Sequence, residues 1–229
     1  MARPTKIEQI PNMAEAITEA AWEQIATHGA AALSLRAIAR NVGITAPAIY
    51  NYFPDRDALV TALIIDAFTS FGDWQLQARD LVPSGNYRER LRAIGLAYRN
   101  WAMTYPQRYQ LIFGTPIPGY VAPVTQVLPS SARSLSALAS VVEEIRQAGK
   151  LILPNFSQSV KKDKIKFDVW QEYGGKVAMA SLSVSLLIWA RVHGLVSLEI
   201  GGNMPPFGPT GKSMYLLELD VIEKNFIAD

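Results

Sequence analysis

Side chains that can bind a phosphate or read a base edge are concentrated in residues 34–53, SLRAIARNVGITAPAIYNYF. Arg36 and Arg40 are four residues apart and would share one side of a helix. Tyr50 carries a hydroxyl that can reach a phosphate, and the paired donor and acceptor of Asn51 can read a base edge, most simply adenine. The chemistry that these residue types allow is hydrogen bonding to double-stranded DNA.

Two short helices joined by a tight turn would hold these side chains in place. Ser34 can cap the first helix, and Gly43 supplies the left-handed residue that ends it. Thr45 is expected to cap the second helix, where a proline is tolerated in the first turn. The residues expected to face outward, opposite the apolar Ile49 and Phe53, are Pro47, Ala48, Asn51 and Tyr52. The pattern predicts a helix-turn-helix; an ordinary helical core with an incidental glycine turn would not need short or polar residues on that side.

The residues at the end of this segment resemble the DNA-binding domain of TetR-type transcriptional regulators. Family members commonly carry Leu/Ile-Tyr-x-His-Phe, then a short turn, a basic residue and the next helix. In AIYNYFPDRDAL, residues 48–59, Ile49, Tyr50 and Phe53 match, Arg56 stands where Lys is usual, and Tyr52 stands where His is usual. Farther along, Trp189-Ala-Arg-Val-His193-Gly194 resembles the Trp-His-Gly motif of one TetR C-terminal domain class.

The resemblance implies two domains and three kinds of partner. Residues 1–56 would form the helix-turn-helix domain, and residues 57–229 a larger helical domain for ligand binding and dimerisation. The partners would be a palindromic DNA operator, a small-molecule effector and a second copy of the chain. The residues expected at the DNA are Arg36, Thr45, Pro47, Ala48, Tyr50, Asn51, Tyr52 and Arg56.

The spacing of apolar residues predicts an all-helical chain. A first helix would open at Asn12, with Glu15 as its capping-box partner. The later helices are expected at 56–79, 87–104, from Ser130 or Ser131 to Gly149, at 167–193 and at 212–227, with a turn at 107–113. After the 167–193 helix, Gly194 would be a left-handed cap, and His193 would be a capping residue of the last turn. The arginines expected on the solvated side of the 87–104 helix are Arg88, Arg90, Arg92 and Arg99.

Aromatic residues beyond the helix-turn-helix could surround an apolar ligand. An aromatic residue at helical spacing is more often plain core, so both interpretations stay open here. The candidate ligand-binding residues are Trp101, Tyr105, Tyr109, Phe113, Trp170, Trp189 and His193.

Composition excludes several classes of site. The chain has no Cys and two His residues, so thiolate metal sites and disulfides are excluded and histidine metal sites have little scope. No Gly-rich phosphate loop and no Ser-x-Gly nucleophile elbow occurs, so we expect neither an enzyme nor a cofactor or metal.

Charge and hydropathy point to a cytoplasmic protein without deciding its function. Residues 1–60 carry five Lys/Arg against six Asp/Glu, a net charge of −1, so the DNA-binding domain is not basic in bulk. Residues 1–11 carry Arg3 and Lys6, either as an arm for a phosphate or the minor groove or as a frayed terminus. No signal-peptide pattern opens the sequence, and the charge-free apolar run 177–190 is shorter than a bilayer span.

The expected function is ligand-responsive transcriptional regulation, most simply repression that a small apolar effector relieves. The last two helices have more apolar surface than a monomer needs, and we expect them to pair in a four-helix bundle about a two-fold axis, with Leu219 in its middle. The alternative is an all-helical binding or scaffold module without inducer-controlled DNA binding.

Overall fold

The computed structural model describes residues 12–153 and 167–229, and every regular element there is helical. The arm with Arg3 and Lys6 lies outside the described residues. One isolated bridge pairs Leu151 with Ile227. The helices are α1 (Met13–His28), a 3-10 turn (Ala30–Ala32), α2 (Leu35–Asn41), α3 (Ala46–Ile49), α4 (Arg56–Asp80), α5 (Tyr87–Thr104), α6 (Pro106–Phe113), α7 (Val124–Gln147), α8 (Phe167–Tyr173), α9 (Met179–Ile200) and α10 (Gly211–Phe226). The predicted all-helical class is confirmed.

Packing divides the chain into two compact units. The first unit comprises the residues up to Ala67 together with Gln107–Pro123. The second unit comprises Phe68–Pro106 and Val124–Asp229. The division follows packing and not function, so the functional boundary after residue 56 stays a prediction.

The first unit is built around α1. Asn12 accepts a hydrogen bond from the amide of Glu15, so Asn12 caps α1 as predicted. The Glu15 carboxylate accepts from the side-chain amide of Asn12 at 2.6 Å and not from its backbone N–H, so the pairing differs from that of a capping box. Ile17, Ala21 and Ile25 are buried, as their spacing predicts. The other fully buried large side chains of this core are Ile38, Ile49, Leu59, Val60 and Leu63.

The second unit packs α5 against α7, α9 and α10. Leu219 of α10 lies directly over Gly95 of α5, where an added Cβ would stand 2.6 Å from a leucine methyl. Leu219 is only 3% exposed within this single chain. The prediction that Leu219 lies in the middle of a dimer interface is therefore wrong, because its side chain fills the core of its own unit.

The predictions for α6 and for the start of α7 are wrong. α7 begins at Val124 and carries Pro129 inside it, and Ser130 and Ser131 donate back to the carbonyls of Val127 and Leu128 instead of capping. The predicted turn 107–113 is the helix α6. A proline in the first turn is compatible with either, so the local signal was ambiguous.

The long helix expected at 167–193 is two helices. α8 ends at Tyr173, and Gly175 then turns the chain with φ +97°. α9 continues seven residues beyond His193, so Gly194 is a mid-helix residue and not a cap. The left-handed glycine that follows α9 is Gly202, with φ +67°.

The arginines of α5 bind carboxylates and do not form a solvated side. Arg90 is buried beside Glu144. The other three reach acidic groups late in the chain: Arg88 to Asp229, Arg92 to Asp220 and Glu223, and Arg99 to Glu199. Their partners lie 100 or more residues away, which explains why helical periodicity misassigned them.

By length and composition alone, α9 is apolar enough to cross a membrane. Its buried side packs within the chain, with Ser181, Val184 and Ser185 fully enclosed. Arg191 on the same helix forms an ion pair with Glu218 at 2.5 Å. These contacts identify α9 as a core helix of the second unit.

The beginning of α9 is held by a carboxylate from α7. Ala178, the N-cap residue, has no side-chain cap, and its amide donates to Glu143 at 3.1 Å. Glu143 also accepts from Ser181 at 2.7 Å and from Arg146 and Gln147. The hydrogen bonds from Arg146, with those from Ser181, Ala178 and Gln147, lower the pKa of Glu143 from 4.5 to about 2, against the opposing effect of burial. Glu143 thus does from another helix what the glutamate of a capping box does within one.

We expect Glu143→Gln to lower the free energy of unfolding by about 1.5–3 kcal/mol at pH 7, since hydrogen bonds to a charged group are lost. Because the folded-state pKa of Glu143 is depressed, its contribution is complete above pH 4.5 and is lost as pH falls toward 2. Urea unfolding at several pH values should show the deficit of the variant shrinking over that window. Glu89→Gln, at an exposed carboxylate, is the control, and a deficit that is the same at pH 3 and pH 7 would contradict this role.

Candidate nucleic-acid interface

The turn between α2 and α3 has the geometry that the sequence predicts. The hydroxyl of Ser34 accepts from the amide of Ala37 at 3.4 Å, so Ser34 caps α2. The amide of Ser34 also donates to Gln24 of α1 at 2.8 Å, which ties this cap to the first helix. Gly43 then turns the chain with φ +74°.

The second helix of the motif is short. α3 has four residues, and turns continue it to Phe53, whose amide donates to the carbonyl of Ile49 at 3.0 Å. Thr45 is the N-cap residue, but its hydroxyl makes no capping bond, so that part of the prediction is wrong. The backbone conformation of Thr45 is extended, which is enough to begin the helix while leaving its exposed side chain to solvent.

The outward side of α3 carries the residues expected to meet DNA. Ile49 is fully buried and Phe53 nearly so, and they fix which way the helix faces. Tyr50 and Tyr52 are each 46% exposed. The remaining candidates on this side are the exposed Pro47 and Asn51 and the half-buried Ala48.

The candidate arginines differ in what they already bind. Arg36 and Arg40 are exposed on α2, and within the described residues neither guanidinium has a protein partner. Arg56 donates to the carbonyls of Ala30 and Ala31 at 3.2 and 3.1 Å. Arg36 and Arg40 are therefore free to bind phosphates, whereas Arg56 already fastens the 3-10 turn to the beginning of α4.

Four of the seven aromatic candidates belong to one continuous chain of ring contacts in the second unit. Trp101 is fully buried, and its indole nitrogen donates to the Ser70 hydroxyl at 3.0 Å. The ring centres of Trp101 and Phe71 are 4.8 Å apart. Tyr105 contacts Trp101, with ring centres 5.9 Å apart. Phe71 in turn meets the edge of Tyr98 at 4.8 Å.

The same chain continues to α9. The hydroxyl of Tyr98 is 2.9 Å from Nδ1 of His193, and the His193 ring stacks on Trp189 with centres 4.8 Å apart. His193 is also 3.4 Å from Ser197, and burial lowers its pKa. His193 is thus an inward-facing residue in mid-helix and not the predicted capping residue. We call this series, from Trp189 through His193, Tyr98, Phe71 and Trp101 to Tyr105, the aromatic chain.

The other three candidates lie elsewhere. Tyr109 and Phe113 contact each other at 5.1 Å on α6, in the first unit. Trp170 of α8 packs on Gly174, and its indole nitrogen is buried without a hydrogen-bond partner among the described residues. Sequence reasoning missed Tyr98 and Phe71, which join the predicted residues together, because their spacing is equally that of ordinary core positions.

Two family models match this chain, and both describe tetracyclin repressor-like proteins. Residues 17–63 match a model described as bacterial regulatory proteins, tetR family, and residues 91–220 match a tetracyclin repressor-like C-terminal domain. A curated HTH-type transcriptional regulator of Mycobacterium bovis is 36% identical over 189 residues, which are 82% of this chain and 80% of that protein. A curated regulator of Mycobacterium tuberculosis matches to the same extent.

Solved structures agree with the fold. The regulatory protein SCO4313 superposes with a TM-score of 0.76 at 33% identity, covering 96% of this chain and 98% of that chain. A SmeT–triclosan complex superposes with a TM-score of 0.62, covering 94% and 92%, and at 13% identity this likeness shows the fold alone.

The half-buried position of His193 predicts a pH dependence of stability. Because burial lowers its folded-state pKa, the unfolded chain takes up a proton first as pH falls below about 6.5, and the protein then loses stability. His193→Gln should remove this loss, which can reach about 1.4 kcal/mol per pH unit. Thermal unfolding between pH 7.5 and 5.5 tests this, with His28→Gln, at an exposed histidine, as the control. Parallel profiles for the parent and the His193 variant would contradict it.

Proposed function

Because the chain belongs to the TetR family of bacterial transcriptional regulators, we propose that it is a homodimeric repressor that a small, largely apolar effector releases from a palindromic operator. Members of this family are DNA-binding transcription factors and not enzymes. The observation that carries the proposal is the outward side of the helix-turn-helix, where two arginines without partners among the described residues stand beside exposed tyrosines and an exposed asparagine.

The residues of this surface have different tasks. Arg36 and Arg40 bind phosphates and set the register of the protein on the duplex, and Tyr50, Tyr52 and Thr45 add hydrogen bonds from hydroxyls. Asn51 reads a base edge in the major groove. Pro47 and Ala48 are small enough to let α3 approach the bases. Arg56 contributes by fixing the start of α4, with its remaining donors available to a phosphate.

A second copy of the chain is supported by an apolar surface on the last two helices. The exposed large residues there are Met179, Leu186, Leu187 and Leu198 on α9 and Leu217 on α10. Small residues, Ser183, Ala190 and Gly194, lie between them on the same side of α9. A four-helix bundle formed by α9 and α10 of two copies would cover this surface.

Gly194 has a particular place in that surface. A glycine within a helix costs about 1 kcal/mol relative to alanine. Apart from its chain neighbours and the backbone of its own helix, no described residue has an atom within 4 Å of the position that its Cβ would occupy, so packing among the described residues does not require a glycine there. The close approach of a partner helix would require it.

The effector would bind in the second unit, beside the aromatic chain. Rings provide a large apolar surface, and the hydroxyl of Tyr98 with the ring of His193 offers polar atoms for orientation. The SmeT structure shows that a protein of this fold can bind triclosan, which is compatible with an apolar effector here. An effector shifts the protein to a released conformer only by binding that conformer more tightly than the DNA-bound one. As a regulator of transcription, the protein would work in the cytoplasm.

Fluorescence anisotropy with the promoter DNA beside its own gene tests the proposal directly. Saturable binding that a retained small molecule weakens would support it. Native mass spectrometry of the protein from crude lysate is suited to finding that molecule. A flat titration would leave the helical binding or scaffold module as the better description.

Two substitutions should separate phosphate contacts from base contacts. Arg36→Ala should make the slope of log affinity against log salt shallower by about 0.9 per lost contact, or about 1.8 for a dimer on two half-sites. Asn51→Ala should leave that slope unchanged and relax preference at one symmetric pair of operator positions, by about 1–3 kcal/mol of discrimination. Salt titrations and selection from random DNA sites measure the two effects. Lys150→Ala, at an exposed cation of the second unit, is the charge-matched control, and identical preferred sites for Asn51→Ala and the parent would rule out base reading by Asn51.

Gly194→Leu should convert dimers into monomers and weaken operator binding together, because one recognition helix holds only half of the site. The substitution adds a side chain where the chain itself leaves open space, so the monomer should fold. Analytical ultracentrifugation and a thermal melt separate assembly from stability. Gln77→Leu, which adds the same side chain at an exposed position of α4, should remain dimeric. A dimeric Gly194→Leu variant would show that the interface lies elsewhere.

A further inference from the structure

The chain passes between the two units inside α4, after Ala67, and again before Gln107. Asp66 is the last residue but one before the first passage, and Arg108 is the second residue after the other. These two residues bind each other: Nη1 of Arg108 donates to the Asp66 carboxylate at 2.8 Å. The ion pair therefore joins α4 and α6 at the point where both enter the first unit.

A third residue ties this pair to α1. The indole nitrogen of Trp22 donates to the same oxygen of Asp66 at 3.0 Å. The guanidinium carbon of Arg108 lies 4.7 Å from the centre of the Trp22 ring, within the range of a cation–π contact. We call Trp22, Asp66 and Arg108 the clasp; each of its three residues contacts the other two.

The position of Trp22 on α1 gives the clasp a route to the DNA-binding surface. Its neighbour Ala21 is fully buried, together with Ile17 and Ile25, in the core formed with α2 and α3. Trp22 is turned to another side of α1, toward α4 and α6. A displacement of α6 would thus reach α1, which is bonded on another side to Ser34 of the helix-turn-helix.

A second bond keeps the same segment in place when the clasp is removed. The hydroxyl of Tyr120, in the loop after α6, lies 2.9 Å from the hydroxyl of Thr61 on α4. Thr61 already donates to the carbonyl of Asp57, so its hydroxyl accepts from Tyr120. This bond and the buried Ile117 hold the loop in the first unit independently of Arg108.

We propose that Trp22, Asp66 and Arg108 are positioning residues for DNA binding, which hold α1, α4 and α6 in the arrangement that the operator requires without touching DNA. The inference rests on the proposed function. Asp66 is about half exposed, so the clasp contributes little to global stability. The clasp acts by preorganisation. Without the clasp, the free energy needed to order α1, α4 and α6 would reduce the free energy of DNA binding.

The chemistry of the clasp explains why arginine is needed at position 108. A planar guanidinium can lie over the indole ring while its edge donates to the carboxylate. An ammonium group is a compact charge that does not stack in this way. Arg108→Lys keeps the charge but should not restore the function.

The test is a double-mutant cycle on operator affinity. Arg108→Gln and Asp66→Asn should each weaken binding at fixed salt by about 2- to 30-fold, with little change in melting temperature. The double variant should be no weaker than either single variant, because both remove the same unit. Arg108→Lys should resemble Arg108→Gln, and the salt slope should stay that of the parent, since no phosphate contact is lost.

The control pair is Asp73 of α4 with Arg133 of α7, a more exposed ion pair in the second unit. Asp73→Asn and Arg133→Gln should leave operator affinity unchanged. If the clasp variants bind like the parent, or if their effects add in the double variant, the inference is overturned.

Hydrogen exchange of the free protein gives a readout that does not depend on DNA. Amides of α6 should exchange faster in Arg108→Gln than in the parent, while those of α9 remain unchanged. Unchanged exchange in α6 would overturn the inference. A parent protein that binds no promoter DNA would instead overturn the proposed function, so the two failures can be told apart.

Discussion

The candidate interface depends on the burial of Ile49 and Phe53 beneath a helix too short to form alone. An isolated helix of fewer than about 12 residues is marginal in water, and α3 has four residues. Its conformation comes from these two anchors, which are enclosed against the core of the first unit. The same anchors decide which residues face outward, since Tyr50, Asn51 and Tyr52 occupy the positions between them. Any change that loosens α1 or α4 acts on the interface through this contact.

Most arginines of the chain are bound to the protein itself, and this shapes how it could bind DNA. Arg90, Arg92 and Arg99 hold helices of the second unit together, and Arg108 holds α6 to α4. The described part of the first unit retains two unpaired guanidinium groups for a polyanion. With two such groups, the proposed interface would gain little from counterion release, and its affinity would come largely from neutral hydrogen bonds and from dimerisation. Both depend on exact placement, which gives helix-positioning contacts such as the clasp their importance.

Features fixed by neighbouring residues were predictable from the sequence. The cap of α1 at Asn12, the cap at Ser34, the turn at Gly43 and the limits of α5 follow from signals within a few residues. Features fixed by distant residues were not. The beginning of α9 depends on Glu143 of α7, and the burial of Leu219 depends on Gly95 of α5. The orientation of α3 was predictable because its anchors lie four residues apart, whereas the aromatic chain and the clasp join residues that the sequence gives no reason to pair.

The residues Trp189, His193 and Gly194 illustrate how a short motif can serve two surfaces of one helix. Trp189 and His193 are four residues apart, and their rings stack toward Tyr98 in the interior. Gly194, the next residue, is rotated by about 100° and meets open space. A single turn of α9 therefore carries both the end of the aromatic chain and the closest point of approach proposed for a second copy. A ligand that moved the His193 ring would move the backbone of that turn, because stacking and hydrogen bonding leave the ring little freedom relative to it. The apolar surface would be displaced at Gly194, where there is no side chain whose rotation could compensate for a backbone shift.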